Sequence, residues 1–172
     1  MPVLLLVRHA SAGDRGIGIG DLERPLDARG IAQAAALPAV LSSYLGLSLD
    51  VDGRTDAGAT RMSALPVDVR SSPARRCIET VRPLAAALGT DVTVDPALIE
   101  GCDVRALHDR LATVAGPTVW SSHGDVIPEL LEMLSRRGLD LGTSPTCRKG
   151  STWVLQIGDG EVLTARSLPP PA

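Results

Sequence analysis

Blocks of apolar and polar positions alternate along the chain, and they predict an alternation of strands and helices. A continuous apolar run from Val3 to Val7 is typical of a central strand buried on both faces. Asp27 stands at an N-cap position, ahead of a helical stretch that Pro38 is expected to kink, and Pro73 stands at the first position of the next helix. The predicted strands are 3–7, 66–70, 91–94, 118–121, 151–157 and 161–166, and the predicted helices are 28–45, 73–88, 104–115 and 124–137.

This order of elements predicts the fold class. Strand and helix alternate for most of the length, and the last two strands flank Gly158-Asp159-Gly160, which favours a tight turn. We therefore expect an α/β fold, a three-layer α/β/α sandwich with a mostly parallel central sheet and a C-terminal antiparallel hairpin. The 172 residues suit one domain, 1–172, with a mobile loop at 46–65 and a frayed tail at 167–172.

Composition and charge narrow the function classes. With no Phe, one Tyr and two Trp, the chain lacks the aromatic platforms on which single-stranded bases stack. The net charge is −3 and the 17 basic residues are scattered, so we expect neither nucleic acid nor a membrane surface as partner. The three Cys lack the spacing of a disulfide framework or a zinc site, and the N-terminal apolar run is too short for a signal peptide or a membrane span. A cytoplasmic protein is expected.

Residues that carry chemistry gather where the predicted strands end. Arg8-His9 follows the first strand, the stretch from Ser71 to Arg76 follows the second, Glu100 follows the third, and Ser122-His123 follows the fourth. Ligands bind at the carboxyl ends of parallel strands, so these groups are expected to meet. Each piece alone has a simpler interpretation: a strand-end His bonded to a carbonyl, a capped helix with exposed basic residues, or a helix-capping His. A neutral imidazole among guanidinium groups suits phosphoryl transfer.

Two other patterns indicate nothing of this kind. The glycines of GIGIG, Gly16 to Gly20, lack the spacing of a dinucleotide-binding turn and do not join a strand to a helix. His9, His108 and His123 lack the short spacing of a zinc site, and His108 is interpreted as a surface or packing residue.

The segments LLLVRHASAG, RPLDARGIAQA, SSPARRCIETV, ALIEG and SSHGDVI together resemble the histidine phosphatase superfamily, also called phosphoglycerate mutase-like. The resemblance runs from about Val3 to Val154, and the RHA entry and small size are similar to the phosphohistidine-phosphatase-type branch. It implies His9 as the phosphorylated nucleophile, with Arg8 and Arg76 as phosphate clamps and His123 as the second phosphate-binding histidine.

The same resemblance implies that Glu100 protonates the leaving group. Asp103 is a second candidate for this acid, although it is better placed as an N-cap, and the small branch often has no acid at all. Ser11, in the bend after His9, and Gly124, which lets the backbone approach a ligand closely, are further candidates for substrate binding.

The function implied is a metal-independent phosphatase, without a cofactor, that hydrolyses a phosphomonoester or phosphohistidine through a phosphohistidine intermediate on His9. The expected partner is a phosphorylated small molecule or a phosphohistidine protein, and a monomer or weak dimer is expected. Two alternatives stay open: a catalytically weak phosphate-binding regulatory module, and a phosphoglycerate-mutase-type phosphotransferase. The chain is also similar to phosphatase domains fused to nudix hydrolases, which implies nucleotide-related substrates.

Overall fold

The computed structural model describes residues 1–14, 20–46 and 66–172, and a six-stranded sheet runs through its centre. The strands are β1 (Val3–Arg8), β2 (Asp68–Ser71), β3 (Val92–Val94), β4 (Thr118–Ser122), β5 (Thr152–Gly158) and β6 (Glu161–Leu168). The α-helices are α1 (Ala28–Leu41), α2 (Arg75–Leu88), α3 (Val104–Leu111) and α4 (Val126–Arg136), and short 3-10 turns lie at Asp21–Glu23, Ser42–Leu45 and Pro96–Leu98.

The sheet is parallel over four strands and closes with an antiparallel hairpin. Its order is β3-β2-β4-β1-β5-β6; β5 runs antiparallel to β1, and β6 runs antiparallel to β5. Asp159 and Gly160 both have positive φ, 52° and 79°, as a tight turn matched to the twist of the two strands requires. The predicted mostly parallel sheet with a C-terminal hairpin is confirmed.

Alternation along β1 produces the three layers. Leu4 and Leu6 pack in one hydrophobic cluster with the buried faces of α3 and α4, whereas Leu5 and Val7 pack in a second cluster with α1 and α2. Successive strand residues point to opposite faces of the sheet, so an apolar residue at every position of β1 buries both faces. The predicted sandwich follows from this one strand.

Several helix boundaries differ from the prediction. α1 continues through Pro38 and ends at Leu41, and a 3-10 turn covers the rest of the predicted helix. α2 begins at Arg75 rather than at Pro73, because Ala74 is extended, with φ −63° and ψ 128°. The third and fourth helices are both shorter than predicted.

The C-terminal tail also differs from the prediction. β6 continues to Leu168, which pairs with Thr152, so the first two residues of the predicted frayed tail belong to a strand. The Leu168 side chain is buried against the cluster of α1 and α2, and this burial holds the strand end in place. Of the predicted 46–65 loop, 47–65 lie outside the described residues. No helix in the described ranges has the length and apolar character needed to cross a bilayer.

Candidate active site

Two histidines meet where the neighbouring parallel strands β1 and β4 end. Arg8 pairs with Ser122 in the register of these strands, so His9 and His123 follow adjacent positions. The backbone N–H of His9 donates to the Ser122 carbonyl at 3.0 Å, and the two imidazole centroids lie 5.6 Å apart, edge to face. Both histidines are buried, at 5% and 1% exposure, which makes this strand end a sheltered pocket.

His9 is held as a neutral imidazole whose Nε2 has no hydrogen-bond partner in the described part of the chain. Its Nδ1 lies 2.9 Å from the Ala10 carbonyl oxygen, and since a carbonyl only accepts, Nδ1 carries the proton and Nε2 keeps its lone pair. Burial is the largest of the causes that lower the pKa of His9 to about 3; the charges of Arg76 and Arg8 act in the same direction, and the Ala10 hydrogen bond opposes them. An unprotonated imidazole of this kind is a competent nucleophile.

His123 is neutral as well but has both nitrogens engaged. Its Nδ1 lies 3.3 Å from Nη2 of Arg76, a group that only donates, so Nε2 carries the proton and donates to Oγ of Ser72 at 2.8 Å. Burial, followed by the charge of Arg76, lowers the pKa of His123 to about 4, against the opposing charges of Asp125 and Asp21. Ser72 therefore fixes the ring so that Nδ1 faces the arginine.

Arg76 comes from the first turn of α2 and is buried to 1% exposure. Besides His123, its Nη2 contacts Oδ2 of Asp21 at 3.0 Å and Oε2 of Glu100 at 3.4 Å, and its Nη1 donates to the Asp21 carbonyl at 2.7 Å. Its neighbour Arg75 instead forms an exposed ion pair, 2.7 Å long, with Glu79. Of the two adjacent arginines, only Arg76 enters the pocket.

The guanidinium of Arg8 lies against Gly124, in the short segment between β4 and α4. Its Nη1 donates to the Cys147 carbonyl at 2.6 Å. A Cβ built on Gly124 would lie 2.5 Å from Cζ of Arg8, so the glycine makes room for this guanidinium. The close approach expected of Gly124 is therefore made to a side chain of the pocket itself.

Both pocket arginines keep an unused donor. Nε of Arg8 and Nε of Arg76 are buried and have no hydrogen-bond acceptor among the residues that the structure describes. Leaving such a donor unpaired costs about 1–3 kcal/mol. An oxyanion bound between the arginines would supply acceptors, because guanidinium groups pair with phosphate oxygens in forked geometry.

The remaining candidates from the sequence occupy different positions. Glu100 lies at the pocket through its contact with Arg76. Asp103 caps α3 by accepting the N–H of Arg105 at 2.9 Å, and Ser11 donates its hydroxyl to Asp27, the N-cap of α1, at 2.7 Å. His108, on α3, contacts its neighbour Asp109. Of GIGIG, only Gly20 lies within the described residues.

Three pocket residues were missed by the sequence reasoning. Asp21 and Ser72 contact Arg76 and His123 as described above. Thr80 accepts the N–H of Ala10 at 2.8 Å and donates to the Arg76 carbonyl at 2.7 Å, which ties the turn after His9 to α2. The signal for Ser72 and Thr80 was their position in the segment around Arg76; nothing in the sequence pattern marked Asp21. In the described part of the chain, no cluster of three His, Cys, Asp or Glu could hold a metal ion.

The buried cluster of two neutral imidazoles and two guanidinium groups, at the carboxyl edge of a parallel sheet, suits the binding and transfer of a phosphoryl group. A model of the histidine phosphatase superfamily (branch 1) matches residues 4–102, and the chain belongs to this superfamily. The predicted family is thereby confirmed.

Individual relatives add detail. The 8-oxo-(d)GTP phosphatase of Mycolicibacterium smegmatis (strain ATCC 700084 / mc(2)155) is 37% identical over 175 residues, which cover 98% of this chain and 48% of that protein; the chain thus spans about half the length of this curated relative. The protein histidine phosphatase SixA complexed with tungstate has a TM-score of 0.73 at 16% identity, over 98% of this chain and 97% of that one. Mycobacterial glucosyl-3-phosphoglycerate phosphatase Rv2419c with inorganic phosphate has a TM-score of 0.57 at 20% identity, over 100% and 98%. These two likenesses concern the fold, and they confirm its predicted class.

Proposed function

We propose that this chain is a metal-independent phosphatase that hydrolyses a phosphomonoester or phosphohistidine through a phosphohistidine intermediate on His9. The observation that carries the proposal is the state of His9: a buried, neutral imidazole whose Nδ1–H is bound to a carbonyl and whose Nε2 lone pair is free. It lies beside His123, and the neighbouring Arg76 and Arg8 offer N–H donors to a tetrahedral oxyanion, among them the buried Nε atoms that lack an acceptor in the described part of the chain.

In the first step, Nε2 of His9 attacks phosphorus in line with the leaving group. The bond from phosphorus to the leaving oxygen or nitrogen breaks, its electron pair goes to the leaving atom, and Glu100 gives that atom a proton. Arg8 and Arg76 hold the equatorial oxygens and neutralise the charge that develops on them, so the guanidinium groups do the electrostatic work that phosphoryl transfer demands.

In the second step, water attacks the phosphorus of phosphohistidine. Glu100 takes a proton from this water, the bond between phosphorus and Nε2 breaks, and its electron pair returns to His9. Inorganic phosphate leaves and His9 is again neutral. In both steps His123 acts through Arg76, whose Nη2 lies 3.3 Å from its Nδ1, and Ser72 is a positioning residue that keeps the His123 ring oriented through the 2.8 Å contact with Nε2.

The substrate belongs to this proposal as well. SixA is named a protein histidine phosphatase, which favours a phosphohistidine protein. The 8-oxo-(d)GTP phosphatase favours a nucleotide-related phosphate, although this chain matches only about half of that protein. We also propose a cytoplasmic location, which the free thiols of Cys77, Cys102 and Cys147 support. A monomer or weak dimer is proposed as well, and sedimentation would test it.

The test is turnover of p-nitrophenyl phosphate with a chelator present. We expect activity that His9→Ala abolishes and that the chelator leaves unchanged, whereas His108→Ala, which removes a histidine outside the pocket, retains it. Brief exposure to a radiolabelled donor should label the wild type with an acid-labile phosphate and leave His9→Ala unlabelled. Turnover that survives in His9→Ala would overturn the proposal. Binding of orthovanadate without any turnover would instead favour the regulatory module.

A further inference from the structure

Asp21 engages both terminal nitrogens of a pocket arginine. Its carboxylate Oδ2 lies 3.0 Å from Nη2 of Arg76, and its backbone carbonyl accepts Nη1 of the same guanidinium at 2.7 Å. Arg76 is a phosphate clamp in the proposed function, so an acidic side chain lies directly beside the proposed phosphoryl site.

A second arginine holds the other oxygen of this carboxylate. Nη2 of Arg24 lies 3.1 Å from Oδ1 of Asp21, and Nη1 of Arg24 donates to the Gly13 carbonyl at 2.8 Å, which ties the turn to the chain after β1. Short contacts with two guanidinium groups, one on each oxygen, therefore hold the Asp21 carboxylate in place.

The charge also lies on the outer side of the pocket. The side chain of Asp21 is 33% exposed and that of Glu100, which contacts the same nitrogen of Arg76, is 45% exposed, whereas His9 and His123 lie deep below them. In the proposed mechanism Glu100 serves the leaving group. Asp21 contacts the same arginine nitrogen as Glu100, which places its charge on the leaving-group side of the proposed phosphoryl site.

We infer that Asp21 is a specificity-determining residue that disfavours substrates with a further negative charge next to the transferred phosphoryl group. Di- and triphosphate chains belong to this disfavoured class. Monoesters and phosphoramidates with an uncharged leaving group, or one that offers an N–H to the carboxylate, are favoured. The inference rests on the proposed function and narrows its substrate class.

The size of the effect follows from Coulomb's law. At about 6 Å, with an effective dielectric constant of about 40 for a partly exposed pair, two unit charges repel enough to change a binding constant roughly tenfold. A monoester whose leaving group is uncharged escapes this repulsion. Removing the charge of Asp21 should therefore raise activity on polyphosphates relative to monoesters by about tenfold.

The experiment compares Asp21→Asn with Glu23→Gln, which removes an exposed charge from the same turn. The kcat/KM for phosphate release is measured with ATP, ADP and p-nitrophenyl phosphate. We expect Asp21→Asn to raise the ratio of ATP to p-nitrophenyl phosphate about tenfold, and Glu23→Gln to leave it within about twofold. An unchanged ratio in Asp21→Asn, or an equal rise in both variants, would overturn the inference.

Two further measurements, an ionic-strength series and calorimetric binding, test the same inference independently. Raising the ionic strength should narrow the difference in this ratio between Asp21→Asn and the wild type, because salt screens the partly exposed charge of Asp21 in the wild type. Calorimetric binding of pyrophosphate relative to inorganic phosphate should improve in Asp21→Asn about tenfold; an unimproved ratio counts against the inference. Because binding needs no turnover, loss of the proposed function and loss of the specificity role give different results.

Discussion

The substitution Gly124→Ala tests whether the position of the Arg8 guanidinium matters for activity. The added Cβ would lie 2.5 Å from Cζ, 2.6 Å from Nη2 and 2.7 Å from Nε of Arg8. Non-bonded carbon atoms at their optimal separation lie about 3.5–4.0 Å apart, so the guanidinium has to move by about 1 Å. The backbone of Gly124 has no positive φ, so alanine is tolerated there without strain.

The consequences for activity and for stability differ sharply. A displacement of about 1 Å in a group that orients the reacting phosphorus can lower the rate about a hundredfold. The cost to folding is small, because the atoms that must yield are the end of a flexible side chain rather than backbone. We expect kcat/KM to fall about a hundredfold while the free energy of unfolding changes by less than about 1 kcal/mol.

The assay pairs steady-state kinetics on p-nitrophenyl phosphate with urea unfolding of the same preparations. Gly13→Ala is the matched control, since a Cβ at that position meets no atom of the described residues within 4 Å, and it should leave both quantities unchanged. If Gly124→Ala keeps the wild-type kcat/KM in a folded protein, then Arg8 does not hold the phosphoryl group in the manner proposed. An equal loss in Gly13→Ala would point to the loop rather than to the guanidinium.

Three further predictions concern other contacts of the pocket. Ser72→Ala removes the acceptor for Nε2 of His123 and should lower kcat about tenfold to a hundredfold with a shifted pH profile, and an unchanged profile would refute its positioning role. Gly30→Ala would place a Cβ 1.8 Å from the Ser11 carbonyl oxygen and should destabilise the fold by about 2–3 kcal/mol in thermal unfolding. The pKa values of about 3 and about 4 for His9 and His123 lie below the ordinary value of 6.5, so the unfolded chain binds more protons between these limits. The free energy of unfolding should therefore fall as the pH drops from 6.5, by up to about 1.4 kcal/mol per pH unit for each histidine. A variant that lacks both histidines should show a flatter dependence of this free energy on pH.

Much of the fold follows from local patterns that the sequence displays. The apolar run of β1 can be read directly, because a strand covered on both faces needs an apolar residue at every position. The hairpin could be predicted because Asp159-Gly160 accepts the positive φ of a tight turn. The boundaries that were wrong depend on tertiary contacts. Leu168 is held in β6 by burial against two helices that are distant in sequence, and the residues next to it in the sequence do not indicate that contact.

The candidate site likewise has parts that local sequence patterns predict and parts that depend on tertiary contacts. His9 and His123 could be proposed as partners because parallel strands place their carboxyl ends at one edge, a rule that needs only the order of elements. Which of Arg75 and Arg76 enters the pocket is set by the rotation of α2, and only the resemblance distinguished them. Asp21 and Arg76 are 55 positions apart in the sequence, and Asp21 lies in a short 3-10 turn. No hydrophobic periodicity in the sequence could have indicated their contact.

The chemistry of the pocket depends on a balance between burial and charge. Burial and the neighbouring guanidinium groups both disfavour a protonated imidazole, so His9 stays neutral with no carboxylate bound to its ring among the residues that the structure describes. The same guanidinium charges attract the phosphoryl group, and the anion that arrives offsets them locally. In the proposed mechanism the arginines, which add to the effect of burial on His9, are also the groups that neutralise the transferred phosphoryl group during attack. Asp21 moderates this excess of positive charge at Arg76, and so it helps to decide how much negative charge a substrate can bring into the pocket.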